Sequence, residues 1–473
     1  MVQVSTSAAT TPAYLTGWAA GRRVLDFLRD PLMAMRSMYE SHGDLVFLQD
    51  PVPFLKSRNA RVFTAGARFN REVLSDPVTW RTTGIVLRGP KGSAQSRLRM
   101  GIMRMNGRQH QHYRRLFIDP LRPDKVDAMG PDMARLTEAE VESWPVGETV
   151  DLWPRLSRLT QLLSSSLLFG KNDAYGMEIA ELLHQHGRFN YSPAVVGCPL
   201  DVPGTPYHRM LRHSEMTERR ILEWAETKRG KFDPADLLSV IVNSPDENGN
   251  PPNRESIAGH IPTLFGGSFE TCQTVLAWTL TLLAQHPRVA ADLYAELRQH
   301  LTGVTLSLDA VSRLPLLDAV VKESMRVLPP VPLQWRVAMK DTTIQGHPVR
   351  AGSRVMLSAF LTNRAPDLYP EPARFRPERW STISPSVYEY SAFGAGPRAC
   401  LGYSFGVSMV KLGLAAILTR YRIALPPDTR IDYKIAVTMM PKAGLRAEIH
   451  RQDGNFCASR ITGRIRNLVD LPN

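Results

Sequence analysis

The sequence predicts a mainly α protein with a small β-rich lobe. Apolar residues recur at three- and four-residue spacing over many stretches, the mark of helices that bury one face. The strand-like pieces are short and scattered. One stretch, 255–286, reads as a helix of about 32 residues, on the order of 48 Å long. Its second half is apolar nearly all round, as a helix inside a core must be.

The elements follow in order. Helical spacing covers 30–41, 110–118, 132–143, 155–168, 176–188, 208–228, 255–286, 289–301, 315–327 and 402–420. Pro287 stops the long helix and Pro329–Pro330 stops the one that Pro315 starts. Strands are expected at 43–48, 61–65, 342–344, 353–357 and around 436–446. The segment Ser244–Asn253, rich in Pro, Asn and Asp, is a surface loop. No repeat is present. Residues 30–450 are expected to form one domain, with 1–29 a flexible leader and 451–473 a basic C-terminal tail.

Composition narrows the class. Of 473 residues 43% are hydrophobic, ample for a large core, and 22% are charged, as in a soluble globular protein. The four cysteines (Cys198, Cys272, Cys400 and Cys457) stand far apart without a CxxC pair, which suits a reducing compartment. No apolar run reaches the length that crosses a bilayer, so no membrane span is expected and the location is expected to be cytoplasmic. The net charge is +13, and 77–118 has no acidic residue but carries Arg81, Arg88, Lys91, Arg97, Arg99, Arg104, Arg108, Arg114 and Arg115. No nucleic-acid motif accompanies these bases, so carboxylate groups and an acidic protein are the expected counter-charges. Their density also suits an anionic substrate, such as a fatty acid or an acyl group on an acidic carrier protein.

The most informative segment is Phe393-Gly394-Ala395-Gly396-Pro397-Arg398-Ala399-Cys400-Leu401-Gly402. It sets one cysteine on a glycine-rich loop that opens into a helical pattern. Gly394 and Gly396 can adopt backbone angles closed to other residues and turn amide N–H groups toward the sulfur. Such hydrogen bonds tune a metal ligand. Phe393 can cover one side of the sulfur, and the loop must shelter a thiolate that otherwise oxidises. In its Phe, both Gly, Arg, Cys and closing Gly the segment resembles the heme-ligand loop of the cytochrome P450 family. That resemblance implies the cytochrome P450 fold, heme b (iron protoporphyrin IX) as cofactor, Cys400 as its axial thiolate and Arg398 as a partner of a heme propionate.

Other segments add to the resemblance. Within the long helix, Gly266-Gly267-Ser268-Phe269-Glu270-Thr271 puts an acid and an alcohol in apolar surroundings, where an unsatisfied charge is expensive. The glycines can open a groove for an oxygen ligand, which Thr271 can hydrogen-bond while Glu270 relays protons. This is similar to the family's Ala/Gly-Gly-x-Asp/Glu-Thr element, although Ser268 stands where the family has Gly. Glu323 and Arg326, with Arg379 of Phe375–Trp380, resemble the family's buried charge network that braces the cysteine loop. His110 and Arg114, four apart on one helix face, and Arg336 complete an expected propionate rim. By the same resemblance the substrate pocket is roofed by 82–104, 185–212, 264–269, 331–334 and 437–440. Met100, Met103, Met105, Met439 and Met440 make that roof adaptable and apolar. Met409 replaces the family's usual Glu nine residues after the cysteine.

The function that follows is a heme-thiolate monooxygenase. It inserts one atom of O2 into a lipophilic small molecule, with Glu270 and Thr271 catalytic. The protein is expected to act as a monomer. No flavin or iron–sulfur motif is present, so electrons are expected from a ferredoxin or flavodoxin with an NAD(P)H-dependent reductase. One rival is a peroxide-using or oxygen-rearranging enzyme of the same fold, which Glu270-Thr271 speaks against. The other is a non-catalytic heme-binding sensor, which has no need of that pair.

Overall fold

The computed structural model describes residues 11–49, 59–83, 87, 89–170, 174–190 and 192–472. Arg88 of the basic stretch, residues 84–86 and 191 of the expected pocket roof and the first ten residues of the leader lie outside them. The chain divides into two compact units where one domain was expected over 30–450. Their segments interleave, because strands nearly 300 positions apart in the chain pair with each other.

The first unit comprises Met1–Thr83, Arg326–Ala373 and Ile383–Cys400. Its six-stranded sheet runs in the order Ala13–Thr16, Leu45–Gln49, Arg61–Thr64, Arg354–Ser358, Leu333–Ala338, Trp80–Arg81. Val62 pairs with Val355 and Phe47 with Val62 in register, so the β-branched and aromatic positions meet on buried faces. Leu45, Phe47, Val62, Trp80, Val355 and Leu357 pack with Phe69 and Val73 of the helix Ala67–Ser75. The hairpin Thr342–Ile344 with His347–Val349 closes over Gln345 and Gly346, both at positive φ (50° and 82°), the two-residue turn that matches strand twist.

The leader expectation needs correction within this unit. Ala13–Thr16 pairs in parallel with Val46–Gln49, and Gly17–Arg29 is helical. Tyr14 stacks on Phe47 at 4.8 Å and Ala20 is buried, so from Ala13 onward this segment is part of the sheet and its cover.

The second unit comprises Gly84–Met325, Arg374–Thr382 and Leu401–Asn473 and holds most of the helices. Its axis is the helix Arg254–Gln285, 32 residues long. The Asn253 side chain caps it by accepting from the Ser256 amide at 2.8 Å, and Pro287 opens the next helix. It packs against Leu152–Phe169 and Tyr403–Arg420, which is why its second half is apolar on every side. The stretch before residue 102 lies almost against its backbone. A Cβ on Gly101 would stand 2.3 Å from the Gly259 carbonyl oxygen.

The basic tail is corrected here. Ile461–Thr462 pairs in parallel with Thr429–Arg430, and Arg464–Asn467 makes a 3₁₀ turn. Ile461, Ile465, Leu468 and Val469 are buried, and Arg464 donates to the Tyr433 carbonyl at 2.7 Å. Apolar spacing this short gives little periodic signal in the sequence.

Two histidines in this unit make stability depend on pH. His260 is buried between the rings of Tyr113 (4.3 Å) and Phe117 (4.8 Å), and neither ring nitrogen meets a partner among the described residues. Burial drives its pKa down to about 3. His186, buried beside His213, is lowered to about 3 by burial first and the His213 charge second. Both stay neutral when folded, so below pH ~6.5 the unfolded chain takes up protons that the folded chain refuses. Each further pH unit removes about 1.4 kcal/mol per histidine until the folded values near 3 are reached. His260→Phe is expected to flatten the fall of the urea midpoint between pH 7 and 5; an unchanged slope contradicts this.

Candidate active site

In the first unit the cysteine loop is closed by its own backbone. The Cys400 amide donates to the Phe393 carbonyl at 2.8 Å and the Ala399 amide to that of Gly396 at 3.0 Å, around a 3₁₀ turn at Gly396–Arg398. Gly394 and Gly396 sit at φ 65° and 67°. At Gly396 no other residue fits, since a Cβ there would stand 2.2 Å from the Leu74 carbonyl oxygen. Phe393 is half-buried. The Cys400 thiol is exposed, so the chain alone does not supply the shelter that a thiolate needs.

Beside the loop lies a costly arrangement of charge. Arg336 is only 7% exposed, and its guanidinium donates to the Trp335 carbonyl (2.9 Å) and the Gln334 side-chain oxygen (3.1 Å). Burial, and then the like charge of Arg398, bring its pKa down to about 10. Two neighbouring cations, one buried and one half-buried, fit an anionic ligand that contacts both. A porphyrin bearing carboxylates, held by a thiolate beside these arginines, meets that requirement.

The second unit carries the other expected residues. His110 is buried and Arg114 half-buried on the helix Gly107–Ile118, one turn apart. On the long helix, Thr271 Oγ1 donates to the Gly267 carbonyl at 2.8 Å and Ser268 Oγ to that of Phe265 at 2.9 Å. No described atom lies within 4 Å of where a Cβ on Gly266 or Gly267 would stand, so that side of the helix is open. The helix itself runs unbroken through the glycines. Burial raises the pKa of Glu270, while a hydrogen bond from Thr438 and the charge of Lys434 oppose the rise.

Thr438 is a residue the sequence reading did not single out. Its hydroxyl donates to Glu270 Oε1 at 2.9 Å, and it is buried in the turn between Tyr433–Ile435 and Met439–Pro441. The Ala436 amide donates to the Thr438 carbonyl, and Trp278 Nε1 donates to the Met439 carbonyl at 2.7 Å. The hairpin is thereby tied to the long helix two turns beyond Glu270. The only trace of this in the sequence was a threonine inside an otherwise apolar 437–440 stretch.

Glu323 finds the partners its buried position demands. It is 0% exposed; Oε1 accepts from the Arg376 amide and Arg379 Nε, both at 2.9 Å, and Oε2 from Trp380 Nε1 at 3.0 Å. Arg326 donates to the Asn363 carbonyl at 3.1 Å and that of Pro372 at 2.8 Å. These side chains hold backbone segments in place.

The acid-free stretch is less available to ligands than its composition implied. Arg97 binds Glu218, a buried carboxylate that also accepts from Arg254 at 2.8 Å. Arg104 Nη1 lies 3.4 Å from the Met100 sulfur. Lys91, Arg108 and Arg115 remain exposed.

In the first unit a glycine-shaped cysteine loop stands with the neighbouring cations of Arg336 and Arg398, and in the second a half-buried acid–alcohol pair lies on the long helix. The sequence profile described as Cytochrome P450 matches residues 87–445, and the chain belongs to that family. It is 27% identical over 414 residues to cyclooctat-9-en-7-ol 5-monooxygenase of Streptomyces melanosporofaciens, covering 85% of this chain and 87% of that protein. It is 24% identical to pentalenene oxygenase of Streptomyces avermitilis, covering 89% and 93%. In fold it is similar to retinoic acid-bound cyanobacterial CYP120A1, with a TM-score of 0.76 over 90% of this chain and 96% of that one, at 22% identity. The protein is thus a heme-thiolate monooxygenase that takes heme b and acts on a lipophilic small molecule with O2. No helix of the described residues is long and apolar enough to cross a membrane.

Proposed function

We propose that the Cys400 sulfur would hold the heme and that Glu270 and Thr271 would deliver the protons its chemistry consumes. The observation that carries this is the loop closed from Phe393 to Cys400 beside the buried Arg336 and the half-buried Arg398. The bound heme supplies dioxygen activation. Arg336 and Arg398, with His110 and Arg114, would hold its carboxylates, and Phe393 would cover one side of the sulfur. Thr271, whose hydroxyl donates to the Gly267 carbonyl at rest, would release that bond to pass its proton on the open side of the helix, and Glu270 would reload it. A carboxyl whose pKa is raised by burial gives up and regains a proton nearer neutrality than an exposed one.

Thr438 is the positioning residue for Glu270. Its hydroxyl donates to the ionised carboxylate, so Thr438→Val is expected to push the Glu270 pKa further up. The pH profile of product formation then moves to higher pH, and Thr438→Ser restores it. A profile that Thr438→Val leaves in place removes this role.

Reducing equivalents come from a separate ferredoxin or flavodoxin with its reductase, in the cytoplasm; the net charge of +13 favours an acidic carrier. The substrate is an apolar cyclic skeleton, the kind of molecule for which the relatives cyclooctat-9-en-7-ol 5-monooxygenase and pentalenene oxygenase are named. A screen of such compounds, followed by heme spin state and by compound-dependent NAD(P)H consumption with a surrogate ferredoxin system, tests this. Tight spectral binding by fatty acids and none by cyclic hydrocarbons contradicts it.

A further inference from the structure

The helix Gly17–Arg29 carries its largest apolar side chains on the solvent side. Trp18 is 80% exposed, Leu28 74% and Leu25 56%, and Tyr14 on the strand before it is 55% exposed. At 3.6 residues per turn, Trp18, Leu25 and Leu28 fall on one stripe. The inner side is occupied by buried Ala20 and by Phe27, whose ring meets Trp335 edge-on at 6.2 Å. Single exposed apolar residues are ordinary, but several on one face of one short helix mark an interaction surface.

The surrounding charge says what kind of partner fits. Arg22 and Arg29 are exposed and flank the stripe. Asp26, the one acid of the helix, lies 3.9 Å from Arg23. A second copy of this chain would bring the same arginines together on a protein of net charge +13. An anionic surface with an apolar interior satisfies both features. Tryptophan favours the boundary between headgroups and acyl chains. A helix of 13 residues is about 20 Å long, too short to span a bilayer but suited to lie along its surface.

We propose that the Trp18–Leu25–Leu28 face is a docking surface for an anionic lipid bilayer, with Arg22 and Arg29 at the headgroups. A lipophilic substrate concentrates in the same phase, so docking shortens its path to the enzyme. The surface does not depend on which residues serve the heme.

The test is co-sedimentation of the full, heme-loaded chain with phosphatidylglycerol–phosphatidylcholine vesicles and with phosphatidylcholine vesicles alone. Binding is expected to the anionic vesicles and to weaken as salt rises. Arg22→Gln with Arg29→Gln is expected to reduce it about thirtyfold. Trp18→Ser with Leu25→Ser and Leu28→Ser is expected to abolish it, with the heme spectrum unchanged because the replaced side chains are exposed. A triple variant that binds like the parent overturns the proposal. So does a concentration-dependent dimer that the triple variant disperses without lipid. Binding that appears only after residues 2–10 are removed assigns the face to that segment and overturns it equally.

Discussion

Glu323→Gln is expected to yield a protein that folds poorly and retains little heme. The carboxylate is fully buried and accepts from the Arg376 amide, Arg379 Nε and Trp380 Nε1. The amide keeps the shape but removes the charge, and its NH2 group must point at one of three donors. Arg379, itself buried, then lies desolvated without its carboxylate. Removing one member of a buried pair costs about 3–5 kcal/mol, a large part of the stability of most domains. The ratio of heme absorbance to protein, with the urea midpoint, measures the outcome. Full heme content and an unmoved midpoint contradict the bracing role. The same loss in an exposed pair such as Arg313 with Asp309 is expected to be near zero.

The second large effect concerns proton supply. Glu270→Gln and Thr271→Ala are each expected to lower product formation about a hundredfold, the scale of losing one positioned acid–base group. Reductant consumption falls much less, and hydrogen peroxide accounts for the difference. Neither variant touches the cysteine loop, so heme content stays at the parental level. The physical reason is the position of the pair. Glu270 is half-buried and held by Thr438, and Thr271 lies along the open side at Gly266–Gly267. If product per electron is unchanged in both variants, protons reach the site by another route.

How much of this was legible in the sequence depends on the range of the interaction. The long helix was readable almost to the residue, expected at 255–286 and found at Arg254–Gln285, because periodicity and Pro287 are both local signals. The helix from Pro315 was equally clear. The helix expected from 132 begins at Pro123, since its first turns carry Asp124, Lys125 and Asp127 and hide the apolar stripe. Parallel pairing of Ala13–Thr16 with Val46–Gln49, and of Ile461–Thr462 with Thr429–Arg430, was not legible. Such short strands have no turn between them and little alternation to count.

The site shows the same division. Cys400, Glu270, Thr271 and Glu323 stand in dense local patterns in which each neighbour restricts the next. The Thr438–Glu270 bond joins residues 168 apart, and no local pattern encodes it. Arg97 is a further case. A count of bases made it a candidate for substrate, whereas the fold brings Glu218 to it from 121 residues away.

The central claim is that the Cys400 sulfur binds the heme iron. Reduced protein under carbon monoxide tests it most directly, because thiolate ligation shifts the Soret band to the red of the position seen with nitrogen ligands. The account predicts that band in the parent and its disappearance in Cys400→Ser, with Cys198→Ser, Cys272→Ser and Cys457→Ser unchanged. A parent without the shifted band, or a Cys400→Ser protein that keeps it, contradicts the account.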